Sequence, residues 1–196
     1  RRRNEPNGLL TFKAKSHASG TGVIEYTIQD ALGQRAKGSV HVIVAGSSNA
    51  LLGSGNYARG WVPTSDRHDD SWIAIDFNDA TWKRGRKGAG YERSSGYQSL
   101  ISSALNFSSQ MFNKTESLYL RYAFDIDDPA VVGGLKLRMK YDDGFVAYLN
   151  GKRVASANAP PTTQWNSGAT STHNDTLAKQ FELFDITVHR DQLRPG

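Results

Sequence analysis

Asp142 and Asp143 stand side by side in the run Tyr141-Asp-Asp-Gly144, and paired carboxylates are common equipment for acid–base chemistry. Their adjacency argues against that use. A glycosidic bond is cleaved between two carboxyl groups that flank it, and neighbours at a tight turn are poorly placed to do so. A turn braced by the aspartate side chains is the simpler reading. Contact with calcium or a sugar hydroxyl is the chemical alternative. Asp66, His68, Asp69 and Asp70 form the second acidic group. No second histidine stands at a zinc-ligand spacing, so a metal held by Asp66, Asp69 and Asp70 would be calcium, which accepts oxygens from irregular loops. Asp125, Asp127 and Asp128 read as a strand end.

The aromatic and basic residues offer binding rather than bond-breaking. Trp165 lies in the polar run Pro161–Gly168 with few apolar neighbours, where an exposed ring could stack on a sugar. Tyr97, within Ser94–Gln98, raises the same possibility. Trp61, Trp72 and Trp82 sit in richer surroundings and are expected in the core. Lys136, Arg138 and Lys140 alternate with apolar residues and so project from one sheet face, which Lys152 and Arg153 extend. Like charges on neighbouring strands repel unless something offsets them. A solvated face is the plain reading, and an acidic polysaccharide is the sharper one. The basic residues are not interleaved with aromatics and no nucleic-acid-binding motif is present, which argues against DNA or RNA. No G-x-S-x-G elbow, phosphate loop or dinucleotide fingerprint occurs, so no enzyme class is indicated.

These residues need a framework, and composition limits what it can be. The chain has 196 residues, 38% of them hydrophobic and 22% charged, which suits one or two globular domains. No apolar run approaches the roughly 18 residues of a membrane span. The basic start Arg1-Arg2-Arg3 is not followed by an apolar signal-peptide segment. Cysteine is absent, which removes disulfides, thiolate metal sites and cysteine nucleophiles. The formal charge of +5 favours polyanions as partners without selecting one.

Alternation with period two recurs along the chain, and a helical period does not. Residues 23–28 and 40–44 predict a hairpin, with a linker and domain boundary over Ala45–Asn49. Tyr119–Ile126 predicts a strand stopped by Asp127-Asp-Pro129. Leu135–Tyr141 predicts another, with Leu135, Leu137, Met139 and Tyr141 facing inward. Asp142-Asp-Gly144 and Asn150-Gly151 supply turn residues, so 135–141, 145–149 and 152–155 are expected to form a meander. Phe181–Val188 predicts one more strand.

Several runs together carry a resemblance: Phe77-Asn-Asp-Ala-Thr-Trp82, Gly88-Ala-Gly-Tyr-Glu92, Tyr119-Leu-Arg-Tyr-Ala-Phe124, Tyr141–Gly151 and Asn158-Ala-Pro160. In order and spacing they resemble galactose-binding-like, discoidin-type domains of large secreted bacterial proteins, over residues 51–196. Residues 20–44 resemble the closing strands of a cadherin-like or immunoglobulin-like repeat. The resemblance implies an all-β protein: an antiparallel jelly-roll β-sandwich at 49–196, preceded at 1–48 by part of an immunoglobulin-like β domain. It implies that the sandwich lacks its last apolar strand, leaving an edge for neighbouring β domains or another chain. It also implies a non-catalytic, extracellular or cell-surface carbohydrate-binding or adhesion module. A polysaccharide is the expected partner, contacted by Trp165, Tyr97, Asp142, Asp143, Asn150, Lys152 and Arg153. Structural calcium in an early loop is a recurrent feature of that fold and strengthens the expectation at Asp66–Asp70. The rival reading is a structural spacer or fibre subunit with no ligand of its own.

Overall fold

The computed structural model describes residues 20–29, 33–44, 50–53, 55–68, 70–94 and 96–196. The chain falls into two compact units. One comprises residues 1–49 with 128–133, and the other residues 50–127 with 134–196.

In the first unit, β1 (Gly20–Gln29) and β2 (Arg35–Val44) pair antiparallel in unbroken register, from Gly20 opposite Val44 to Gln29 opposite Arg35. The alternating runs 23–28 and 40–44 both lie within these strands, 40–44 at the end of β2 farthest from the turn. A single 3-10 turn at Pro129–Val131 is capped by the Asp128 carboxylate, which accepts from the Ala130 N–H. The proline suits this first position, where no intrahelical donor is needed. The proposed linker at 45–49 lies outside the described residues.

The second unit contains β3 (Tyr57–Trp61), β4 (Lys83–Arg86), β5 (Gly88–Gly90), β6 (Ile101–Asn106), β7 (Tyr119–Tyr122), β8 (Lys136–Met139), β9 (Phe145–Leu149), β10 (Lys152–Ala157) and β11 (Glu182–Asp185). Among the described residues helix is confined to the single turns α1 (Ser108–Met111) and α2 (Asp175–Ala178) and short 3-10 segments. The protein is therefore all-β in class. Its sheets are small: β4-β3-β7, β5-β6, β9-β10 and β8-β11. One pair, β5 with β6, is parallel, a departure from the wholly antiparallel expectation.

The main core lies beneath β3 and β4. Ala58, Val62, Leu105, Phe107 and Met111 are buried together, with Ala89, Tyr91 and Leu118 packed against them. Two glycines permit this closeness. A Cβ at Gly60 would lie 2.8 Å from the Phe107 ring, and one at Gly85 would lie 2.8 Å from Leu105. A second cluster is aromatic. Trp72 stacks on Tyr119 with centroids 4.3 Å apart, Trp61 stacks on Trp82 at 5.7 Å, and Tyr148 meets the Trp72 ring edge-on. The three tryptophans expected in the core belong to it, with Trp82 buried and Trp61 and Trp72 half-buried.

Three strand expectations need correction. The run 119–126 is strand only to Tyr122; Ile126 instead exchanges both backbone hydrogen bonds with Gly196, each 3.2 Å. The run 181–188 is strand only over Glu182–Asp185, after which Thr187–Gln192 coils into a 3-10 helix. The meander is not formed as a meander. Asn150-Gly151 does join β9 to β10 as a tight hairpin, both residues taking the positive φ that such turns require. β8, however, pairs with the distant β11, not with β9. Asp142-Asp-Gly144 is a crossing rather than a hairpin turn, carrying the chain from the β8–β11 pair to the β9–β10 pair, and Asp143 is held by partners farther along the chain.

Candidate functional site

The crossing at Asp142-Asp143 collects residues from four separate stretches. Tyr97, buried, donates its hydroxyl to Asp142 Oδ2 at 2.5 Å. Asp143 Oδ1 accepts the His173 backbone N–H at 2.8 Å, and its carbonyl accepts Asn158 Nδ2 at 2.9 Å. The His173 ring stacks on Tyr141 with centroids 4.3 Å apart, and its Nδ1 lies 2.9 Å from the Tyr141 carbonyl. The Tyr141 hydroxyl in turn donates to Glu182. Gly144 is required here because a Cβ would come within 2.5 Å of the Asn158 carbonyl oxygen. Burial pushes the Asp142 carboxyl above its ordinary value; the Tyr97 hydrogen bond opposes this, while Asp143 and Asp175 reinforce it. The arrangement fastens loops together. Both carboxylates have polar partners within the fold.

Asp79 plays the matching part at the other motif. Its Oδ1 pairs with Arg59 Nε at 3.2 Å and its Oδ2 with Arg121 Nε at 3.0 Å. Arg121 also donates to the carbonyls of Trp72 and Ala74, and Arg59 to those of Asp79 and Ala80. One carboxylate thus ties the Trp72–Ala80 loop to β3 and β7. Sequence reasoning did not single out Asp79 or Arg121 as partners, although both fall within the quoted motifs.

The remaining sequence-predicted residues do not converge on one place. Trp165 is half-buried in a turn closed by Ser167, whose N–H bonds the Gln164 carbonyl and whose own carbonyl accepts from Ser117 Oγ. Asn150 Nδ2 donates to the Gln192 carbonyl, and Arg153 Nη1 to that of Pro161 at 2.6 Å, so both brace loops. Lys152 is exposed at the start of β10. Asp66 and Asp70 are exposed, while Asp69 lies outside the described residues. Beside them, His68 packs edge-on against Trp61 and Phe77. Among the described residues no group of three acidic or histidine side chains is gathered as a metal would need. A cleft of about 220 Å³ is lined by Glu92, Gln98, Ile101, Ser102, Ser103 and Asn106. Its carboxylate, Glu92, accepts the backbone N–H groups of Ser94 and Tyr97.

The basic stripe is the predicted feature with the most distinctive surroundings. Register places Leu137 opposite Phe184 on one face and Arg138 opposite Leu183 on the other. The outward face carries Lys136 and Arg138, both exposed, and Leu183, which is 56% exposed. Phe181, just before β11, is also 56% exposed. Its ring lies 4.7 Å from the Arg138 guanidinium and 4.7 Å from Lys140 Nζ. Asp185, opposite Lys136, is held below its ordinary pKa by hydrogen bonds from the Thr187 hydroxyl and backbone, with Lys136 adding to the effect. Phe181 was expected only as a strand residue. Its role became visible once β8 and β11 were paired.

The chain matches no protein-family model, no curated protein and no solved structure.

Proposed function

We propose that this chain is a non-catalytic extracellular module that holds an acidic polysaccharide against the outer face of β8 and β11. The observation that carries the proposal is the exposed Phe181 ring with Arg138 and Lys140 lying over it. An aromatic face takes the apolar C–H side of a pyranose ring, and cations beside it take the carboxylate or sulfate substituents. Leu183 widens the apolar floor, and Lys136 beyond it faces Asp185. The same reading includes a galactose-binding-like jelly roll in the second unit, an immunoglobulin-like repeat before it, and calcium in the Asp66–Asp70 loop. Those parts rest on the motif resemblance.

The test is affinity electrophoresis through gels containing polygalacturonate, heparin or a neutral glucan. Retardation is expected in the two acidic gels alone. Phe181→Ala should weaken it roughly tenfold, the worth of a ring stacked on its ligand. Arg138→Gln with Lys140→Gln should weaken it further and reduce its sensitivity to salt. Equal mobility in all three gels would sink the proposal.

A second reading has its own support. Asp79, Arg121, Asp142 and Asp143, four polar residues of the quoted motifs, all have partners within the fold. A spacer or fibre subunit needs such ties and no ligand. Silence on every glycan, with a folded protein, would favour it.

A further inference from the structure

We infer that β3 and β4 carry a second oxyanion subsite, formed by Tyr57, Arg84 and Arg86 and separate from the β8–β11 face. Register puts Tyr57 opposite Arg86 and Arg59 opposite Arg84, so these four share one face of the sheet. The opposite face, with Ala58 and Gly85, is the buried one. Both guanidinium groups lie over the Tyr57 ring, Arg84 at 3.3 Å and Arg86 at 4.3 Å from its centroid. Tyr57, Arg84 and Arg86 are all exposed.

Charge balance separates the arginines of this face into two kinds. Arg59 and Arg121 share Asp79. Among the described residues no carboxylate lies within ion-pair range of Arg84 or Arg86. Arg84 also stands directly across from Arg59, and like charges so placed repel. Lys83, on the opposite face, is turned to the Asn106 carbonyl and the Phe107 ring and takes no part in this repulsion. An external anion would offset this repulsion.

Stacking on the tyrosine makes the site more than a patch of charge. A guanidinium laid on a ring loses rotamer freedom before any ligand arrives, so less is lost on binding. Its planar fork then remains open to a bidentate oxyanion. The occupant is a sulfate or carboxylate substituent of the same acidic polysaccharide. The inference takes its ligand class from the proposed function, but its residues are independent of that face. A long chain engaging both subsites would gain avidity if it can span them.

Titration calorimetry with a galacturonate hexasaccharide and a heparin-derived hexasaccharide tests this, using the full chain. Wild type is expected to bind two hexasaccharides. Arg84→Gln with Arg86→Gln should leave one, and Phe181→Ala with Arg138→Gln should also leave one. One site in wild type that survives Arg84→Gln/Arg86→Gln overturns the inference and leaves the proposed function standing. One site that survives Phe181→Ala/Arg138→Gln but is lost with the arginine pair does the reverse. No binding of either sugar overturns both. Circular dichroism of each variant confirms that loss of a site is not loss of fold.

Discussion

At the scale of single residues, the Asp142 carboxyl gives a signed pH effect. Burial raises its folded pKa above the ordinary 3.8, with Asp143 and Asp175 acting in the same direction against the Tyr97 hydrogen bond. Below 3.8 both folded and unfolded chains hold the proton. As pH rises the unfolded chain releases it first, so stability falls until the folded value is passed and then levels. Asp142→Asn should remove that fall, and urea unfolding from about pH 3.5 to 7 reads it. Parallel profiles for the two proteins would contradict the assignment. Gly144 offers a steric test. Alanine there meets the carbonyl oxygens of Asn158 and Ala157 and should cost about 1–3 kcal/mol. Gly53→Ala, with nothing near its Cβ, is the control and should change little. That the chain changes direction at Asp142-Asp-Gly144 was readable from the run itself, although a hairpin turn was expected and a crossing is found. That Tyr97, His173 and Asn158 hold the two aspartates was not, because side chains distant in sequence leave no local pattern.

At the scale of elements, the shared carboxylate of Asp79 is the joint between a loop and a sheet. Asp79→Ala strands two half-buried guanidinium groups and should cost roughly 1–3 kcal/mol in urea unfolding. Combined with Arg121→Ala the loss should fall short of the sum, since both changes break one network. Full additivity would mean that the joint is not a unit. The strands themselves show what alternation can and cannot tell. The pattern of 135–141 correctly separates Leu137 from Arg138, and Asn150-Gly151 correctly marks a hairpin. Alternation is blind to the partner, however. β8 was expected beside β9, its neighbour in the chain, and lies beside β11, where Phe184 faces Leu137 and meets Phe145 edge-on.

At the scale of the whole chain, the net charge of +5 bears on association rather than on fold. Retention on a polygalacturonate gel should be strong in dilute salt and largely gone by about 1 M, where screening reaches only ~3 Å. Retention unchanged across that range would point to apolar contact alone and remove the basic residues from the account. Among the described residues no helix is long and apolar enough to cross a membrane. The amino-acid order alone determined the all-β character, the β9–β10 hairpin and the outward stripe of cations, because pleat and turn are properties of adjacent residues. Only the tertiary structure decided which strands lie together, that Asp79, Asp142 and Asp143 find partners distant in sequence, and that Phe181 and Tyr57 each meet a pair of cations. Those outcomes are set by packing between distant segments, where many pairings satisfy the local pattern and shape, burial and charge select among them.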